Sequence, residues 1–194
     1  MESTRTRLAP DTRRAEILEA ARAAFAGSDY ADVSMAAIAR EAGVTPGLVN
    51  HYLGPKRDLY LTVLREVAER LEQTVRTDVG DLSDAERIEL NTRQFLDSVE
   101  RDREDYALLF GAQSPHDPDV ARILASVRRA TVERMAFNLT GDPVPSDDLR
   151  LALRMLLGAA EAGAVEWARG DATREQLHRI LAAAMTAIAE RARG

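Results

Sequence analysis

The residues best suited to chemistry lie in the stretch TPGLVNHYLGPK, where Thr45, Gly47, Asn50, His51, Tyr52 and Lys56 fall close together. They form no nucleophile–base pair and no metal set. They are hydrogen-bonding groups matched to the edges and backbone of double-stranded DNA. Asn50 can make paired hydrogen bonds to an adenine edge, and His51 can donate to a base or a phosphate. Gly47 lets a phosphate chain approach the backbone closely, Tyr52 offers a hydroxyl, and Lys56 is a point charge beside a helix start. Val49 and Leu53, four apart, should then face inward and leave the polar set outside.

Positioning such a set requires a short helix presented by a second one. Ser34 is a natural N-cap for a helix carrying Ile38, Ala39 and Ala42 on one face. Gly43 stops it by taking the left-handed conformation, and Val44 plugs the corner. Thr45 caps the next helix, with Pro46 in its first turn, where a missing N–H costs nothing. Two helices joined by a glycine-containing turn make a helix-turn-helix, whose second helix can enter a major groove. The DNA-facing set is therefore Ser34, Thr45, Pro46, Gly47, Asn50, His51, Tyr52 and Lys56.

The stretch AIAREAGVTPGLVNHYLGPKRDLY resembles the DNA-binding module of TetR-type transcriptional regulators. There an IA..AGV element is followed by Ser or Thr, a Gly two residues on, an aromatic-rich short helix and a Lys. Residues 11–60 match in order. The resemblance gives Thr45, Gly47, Asn50, His51, Tyr52 and Lys56 similar jobs. Two positions depart from the pattern: Asn50 stands where the family commonly has tyrosine, and Leu53 where it has phenylalanine. Leu53 keeps the burial; Asn50 replaces a long phosphate-reaching side chain with a short base-reading one.

Alanine, leucine and arginine dominate the 194 residues, which favours helix throughout. The expected fold class is all-α: an N-terminal three-helix helix-turn-helix DNA-binding domain and a larger C-terminal helical ligand-binding and dimerisation domain. Residues 1–10 read as a basic tail, 11–57 as the DNA-binding domain and 58–194 as the effector and dimerisation domain, with 58–77 the connecting helix. There is no cysteine, so no thiolate metal site, and no cofactor is expected. No apolar run approaches a membrane span and the N-terminus is polar, so the expected location is the cytoplasm. The net charge of −6 divides unevenly: residues 1–57 hold eight basic and seven acidic residues, leaving 18 basic against 25 acidic beyond them. Local charge decides DNA contact, and Arg5, Arg7, Arg13 and Arg14 suit either a solvated leader or a phosphate-contacting arm.

Beyond the module, breaks at residues 78–84, at GAQSPHDPD and at TGDPVPSDD separate helices expected near 85–101, 104–113, 119–139, 149–169 and 173–193. The family resemblance implies a small-molecule pocket among them, with Phe95, Tyr106, Phe110, Met135, Phe137, Glu161 and Trp167 as lining residues and Arg93 or His178 as further polar anchors. Glu161, among alanines and glycines, must reach solvent or find a partner. The run LLGAAEAGAVEW carries helical glycines that call for a close packing partner. Leu153, Leu157, Ala160 and Ala164 there, with Ile180, Leu181, Ala184 and Ile188 on the last helix, are expected to pair with a second copy as a four-helix interface, packing within one chain being the alternative. The expected function is a repressor, bound as a homodimer to a palindromic operator and released by an effector. An architectural or division-control protein of the same fold is the alternative. An enzyme has little support, since the three histidines are scattered and no phosphate-binding loop exists.

Overall fold

The computed structural model describes residues 10–72, 81–110 and 117–193. Among these it holds nine helices and no strand: α1 (Pro10–Ala26), α2 (Met35–Glu41), α3 (Pro46–Leu53), α4 (Lys56–Glu72), α5 (Asp84–Arg101), α6 (Arg103–Phe110), α7 (Pro118–Thr140), α8 (Asp147–Arg169) and α9 (Arg174–Arg193). The all-α class is as the composition and the resemblance indicate. Arg5, Arg7 and the last residues of the expected connecting helix lie outside the described residues.

Local chemistry sets the corner between α2 and α3. Ser34 Oγ accepts from Ala37 N–H, and Thr45 Oγ1 accepts from Leu48 N–H at 3.3 Å. At the end of α2, Val44 N–H donates to Ala39 O (2.9 Å) and Gly43 N–H to Arg40 O (3.1 Å), the paired bonds of a Schellman motif. They require φ +64° at Gly43. A Cβ at Gly43 would meet nothing within 4 Å, so the cost of replacing it is purely conformational. Gly43→Val should therefore destabilise the protein by about 1–3 kcal/mol, read as a lower thermal midpoint.

Two apolar clusters form the core. The first joins Ile17, Leu18, Ala21 and Phe25 of α1 to Ile38, Val49 and Leu53, and then to Leu59, Val63, Leu64 and Val67 of α4. It continues into Leu108 and Leu109 of α6 and Val120 of α7, so the core beneath the helix-turn-helix does not end at residue 57. The second cluster unites α5, α7, α8 and α9 around Leu96, Val132, Ala136, Leu153 and Leu181.

Ion pairs stitch the first cluster's helices together. Asp105, buried on α6, takes Arg22 of α1 at 3.0 Å and Arg70 of α4 at 3.3 Å. At the start of α4, Arg57 donates to Asp117 and Asp119 of α7. The Arg57 guanidinium holds the Asp117 carboxyl below the usual aspartate range, and Asp117 also caps α7.

Candidate nucleic-acid interface

The period of α3 sorts its side chains. Val49 is fully buried and Leu53 nearly so, as their spacing requires. Thr45, Pro46, Gly47, Asn50 and His51 are exposed together on the opposite side. Tyr52 is half-buried, its ring edge-on to His51 at 5.6 Å and packed on the first cluster. Gly47 has open space where a Cβ would sit, so nothing inside the chain calls for a glycine there. Ser34 and Thr45 use an oxygen lone pair for capping, and each hydroxyl keeps its proton for an outside acceptor.

Lys56 is more constrained than a free point charge. Its Nζ donates to Ala31 O at 3.0 Å and lies 4.6 Å from the Tyr30 ring centre, bracing the α1–α2 loop against α4. Tyr30 in turn stacks on Phe25 and meets Tyr60 at a tilt. Two ammonium protons remain available. Arg13 pairs with Glu16 and Arg14 with Glu66, so these two arginines lie against α1 and α4.

Farther from this face, Tyr106 and Phe110 of α6 and Glu161 of α8 line both an outer cleft of about 410 Å³ and a small inner void. Phe95 lines the void alone. The cleft lies between the aromatic group Phe25, Tyr30 and Tyr60 on one side and α6 and α8 on the other. Glu161 has found its partner: Arg128 of α7 grips it with three hydrogen bonds of 2.7–3.1 Å. The remaining expected lining residues belong elsewhere. Met135 and Trp167 pack on the second cluster, with the Arg103 guanidinium 5.9 Å from the centre of the Trp167 ring. Phe137 is half-buried and, like Met135, lines neither cleft nor void. Arg93 is exposed, and His178 bonds Glu89 at the surface (2.8 Å), so neither is an interior anchor.

The apolar faces of α8 and α9 are also sorted differently from the sequence expectation. Leu153, Leu157, Ala160, Ala164 and Leu181 are buried within the chain itself, and so leave little surface for a second copy. Ala184 and Ile188 are half-buried against the same core; Ile180 alone of the set is exposed, at 61%. Gly163 explains why: a Cβ there would come 2.5 Å from Leu177 of α9, so the close approach it permits is within the chain. The outer stripe of α8 is instead Leu151, Met155, Gly158, Ala159 and Ala162, with Leu151 51% and Met155 70% exposed. On α9 it is Ile180, Ala183 and Ala187. The sequence expectation falls on the inner stripe of α8 and passes over the outer one, because periodicity marks an apolar face without saying what covers it.

Comparisons with known proteins bear on both halves. Residues 17–63 match the family model described as bacterial regulatory proteins, tetR family, and residues 85–188 match that of the tetracyclin repressor-like C-terminal domain. The chain is 29% identical over 168 residues to the HTH-type transcriptional regulator BetI of Stenotrophomonas maltophilia, covering 82% of this chain and 81% of that one. It is 32% identical over 126 residues to the HTH-type transcriptional activator FasR of Mycolicibacterium smegmatis, covering 64% of this chain but only 56% of the relative. Among solved structures, a tetR-family regulator from Streptomyces coelicolor superposes with a TM-score of 0.76 at 24% identity, over 95% of this chain and 90% of that one. No described helix is long and apolar enough to cross a membrane.

Proposed function

The chain belongs to the TetR family of transcriptional regulators, and on that premise we propose that it binds a palindromic operator as a cytoplasmic homodimer and is released by a small-molecule effector. The observation that carries this reading is the exposure of Thr45, Pro46, Gly47, Asn50 and His51 on one face of α3, with Val49 and Leu53 anchoring the other. Asn50 and His51 read base edges. Thr45, Tyr52, Lys56 and the caps at Ser34 and Thr45 fix the register on phosphate.

A single reading head is too weak to find an operator, since each base pair discriminates by only about 1–3 kcal/mol. A twofold pair doubles the contacts and demands half-sites spaced by whole helical turns. The exposed stripes of α8 and α9, which are adjacent helices, supply the surface for pairing. A dimer lying across a promoter excludes polymerase, which favours repression; the activator name of the FasR relative makes operator position the deciding variable.

The test is a mobility shift on the gene's own upstream DNA across a salt series. Asn50→Ala should cost about 1–3 kcal/mol per half-site and relax specificity at one base pair. Lys56→Met should weaken binding on all sequences and flatten the salt slope by about one per half-site. An unchanged slope would leave Lys56 as a brace for Ala31 and Tyr30 only; unchanged binding in both variants would remove α3 from the groove.

A further inference from the structure

Arg134 is the residue on α7 whose position is hardest to account for by folding. Its stripe is Val127, Thr131 and Asn138, of which Val127 and Asn138 are buried. It walls a void of about 20 Å³, with Phe95, Ser98, Tyr106 and Phe110. That is room for about one water. Among the described residues Glu161 is the only carboxylate on those walls, and it is committed to Arg128. Among the described residues Arg134 has no hydrogen bond or ion pair of its own. Burial pushes its guanidinium below the usual arginine range, against a smaller opposing influence from the Tyr106 hydroxyl. Tyr106 is itself occupied, at 2.9 Å, with Ser98 Oγ.

The charge around the void is unbalanced. Among the described residues Arg128 and Arg134 face a single acid, Glu161, which leaves one positive charge. Arg134 is half-buried. A guanidinium partly withdrawn from water with no counter-ion among the described residues is destabilising, so an apolar side chain of similar size would hold the fold at least as well. The void also shares Tyr106, Phe110 and Glu161 with the outer cleft, whose walls are rich in aromatic and aliphatic groups. Those three side chains are the wall common to both spaces, so a molecule filling the cleft lies against the wall behind which Arg134 stands.

We infer that this cavity takes a hydrophobic monocarboxylate, whose body lies in the cleft against Tyr106 and Phe110 and whose carboxylate is held by Arg134. The inference rests on the effector reading above and narrows it to a chemical class. A carboxylate matches the flat guanidinium fork and cancels one charge. A cation would add to the excess, and a neutral ligand would leave the guanidinium desolvated and unpaired. A dianion would reverse the imbalance.

The test uses the full chain and three probes of one shape: phenylbutyrate, phenylbutanol and phenylbutylamine, titrated by calorimetry. The acid should bind about ten-fold or more tighter than the alcohol, as expected for a charge-assisted bond, and the amine more weakly than either. Arg134→Met should bring the acid down to the level of the alcohol, and Arg134→Lys should fall between. Without ligand, Arg134→Met should melt at or above the wild-type temperature, because a half-buried unpaired charge has been removed. Equal binding of acid and alcohol to the wild type, binding of none of the probes, or a marked drop in the melting point of ligand-free Arg134→Met would each overturn the inference. The same probes added to the mobility shift separate the two readings. Release of DNA by acid and alcohol alike keeps the effector and discards the carboxylate. Arg134-dependent acid binding with no effect on DNA keeps the carboxylate site and discards the effector.

Discussion

A glutamate at Met155, combined with Ile180→Glu, should split the protein into monomers and lower operator affinity by about a thousand-fold or more, the gap between specific and non-specific binding. Both residues are largely exposed in the single chain, at 70% and 61%. Neither contributes to the inner face of its helix, where Leu153, Leu156, Leu157 and Leu181 are buried. The charges are therefore harmless to the isolated protomer. In a twofold interface each meets its own copy or a neighbouring apolar stripe, because a self-complementary contact repeats every substitution. Like charges brought together in a desolvated patch cost several kcal/mol, enough to outweigh a pairing surface of ordinary size. Sedimentation should show the monomer mass, and the mobility shift should show only the salt-sensitive background. A double variant that remains dimeric would move the interface away from α8 and α9.

The helix-turn-helix geometry was legible in the sequence because its determinants are local. Ser34, Gly43, Thr45 and Pro46 each act on groups within four or five positions, and the bonds from Val44 to Ala39 and from Leu48 to Thr45 follow from residue type alone. Burial of Val49 and Leu53 likewise follows from a period of four. Long-range partners were not legible. Arg128 and Glu161 stand 33 positions apart, and nothing at either position names the other. The second charge in the same cavity did leave a trace. Arg134 falls on the stripe of Val127, Thr131 and Asn138, and an arginine in register with a buried face is a signal that a search for apolar and aromatic lining residues passes over. Helix α8 has the opposite difficulty. It is apolar on two sides, and an expectation that puts Leu153 at the interface has no means of knowing that α5, α7 and α9 take that side for the core.

That division of α8 predicts two distinct phenotypes from neighbouring positions. Leu153 is fully buried in the second cluster, and Leu153→Ala removes a side chain the packed surroundings cannot replace. The expected loss is about 2–5 kcal/mol, from transfer of the side chain and the cavity left behind. For a protein of this length each kcal/mol shifts the midpoint by about 2–4 °C, so the melting temperature should fall by about 7–14 °C for a mid-range loss. The fall should be the same at dilute and concentrated protein, since it arises within one chain. Met155→Glu should behave conversely: whatever stability it removes comes from mass action in the dimer and depends on protein concentration. Thermal melts of both variants over a hundred-fold range of concentration separate the two. A concentration-dependent loss in Leu153→Ala would return that residue to the interface, and a concentration-independent loss in Met155→Glu would place the exposed stripe within the protomer's own stability.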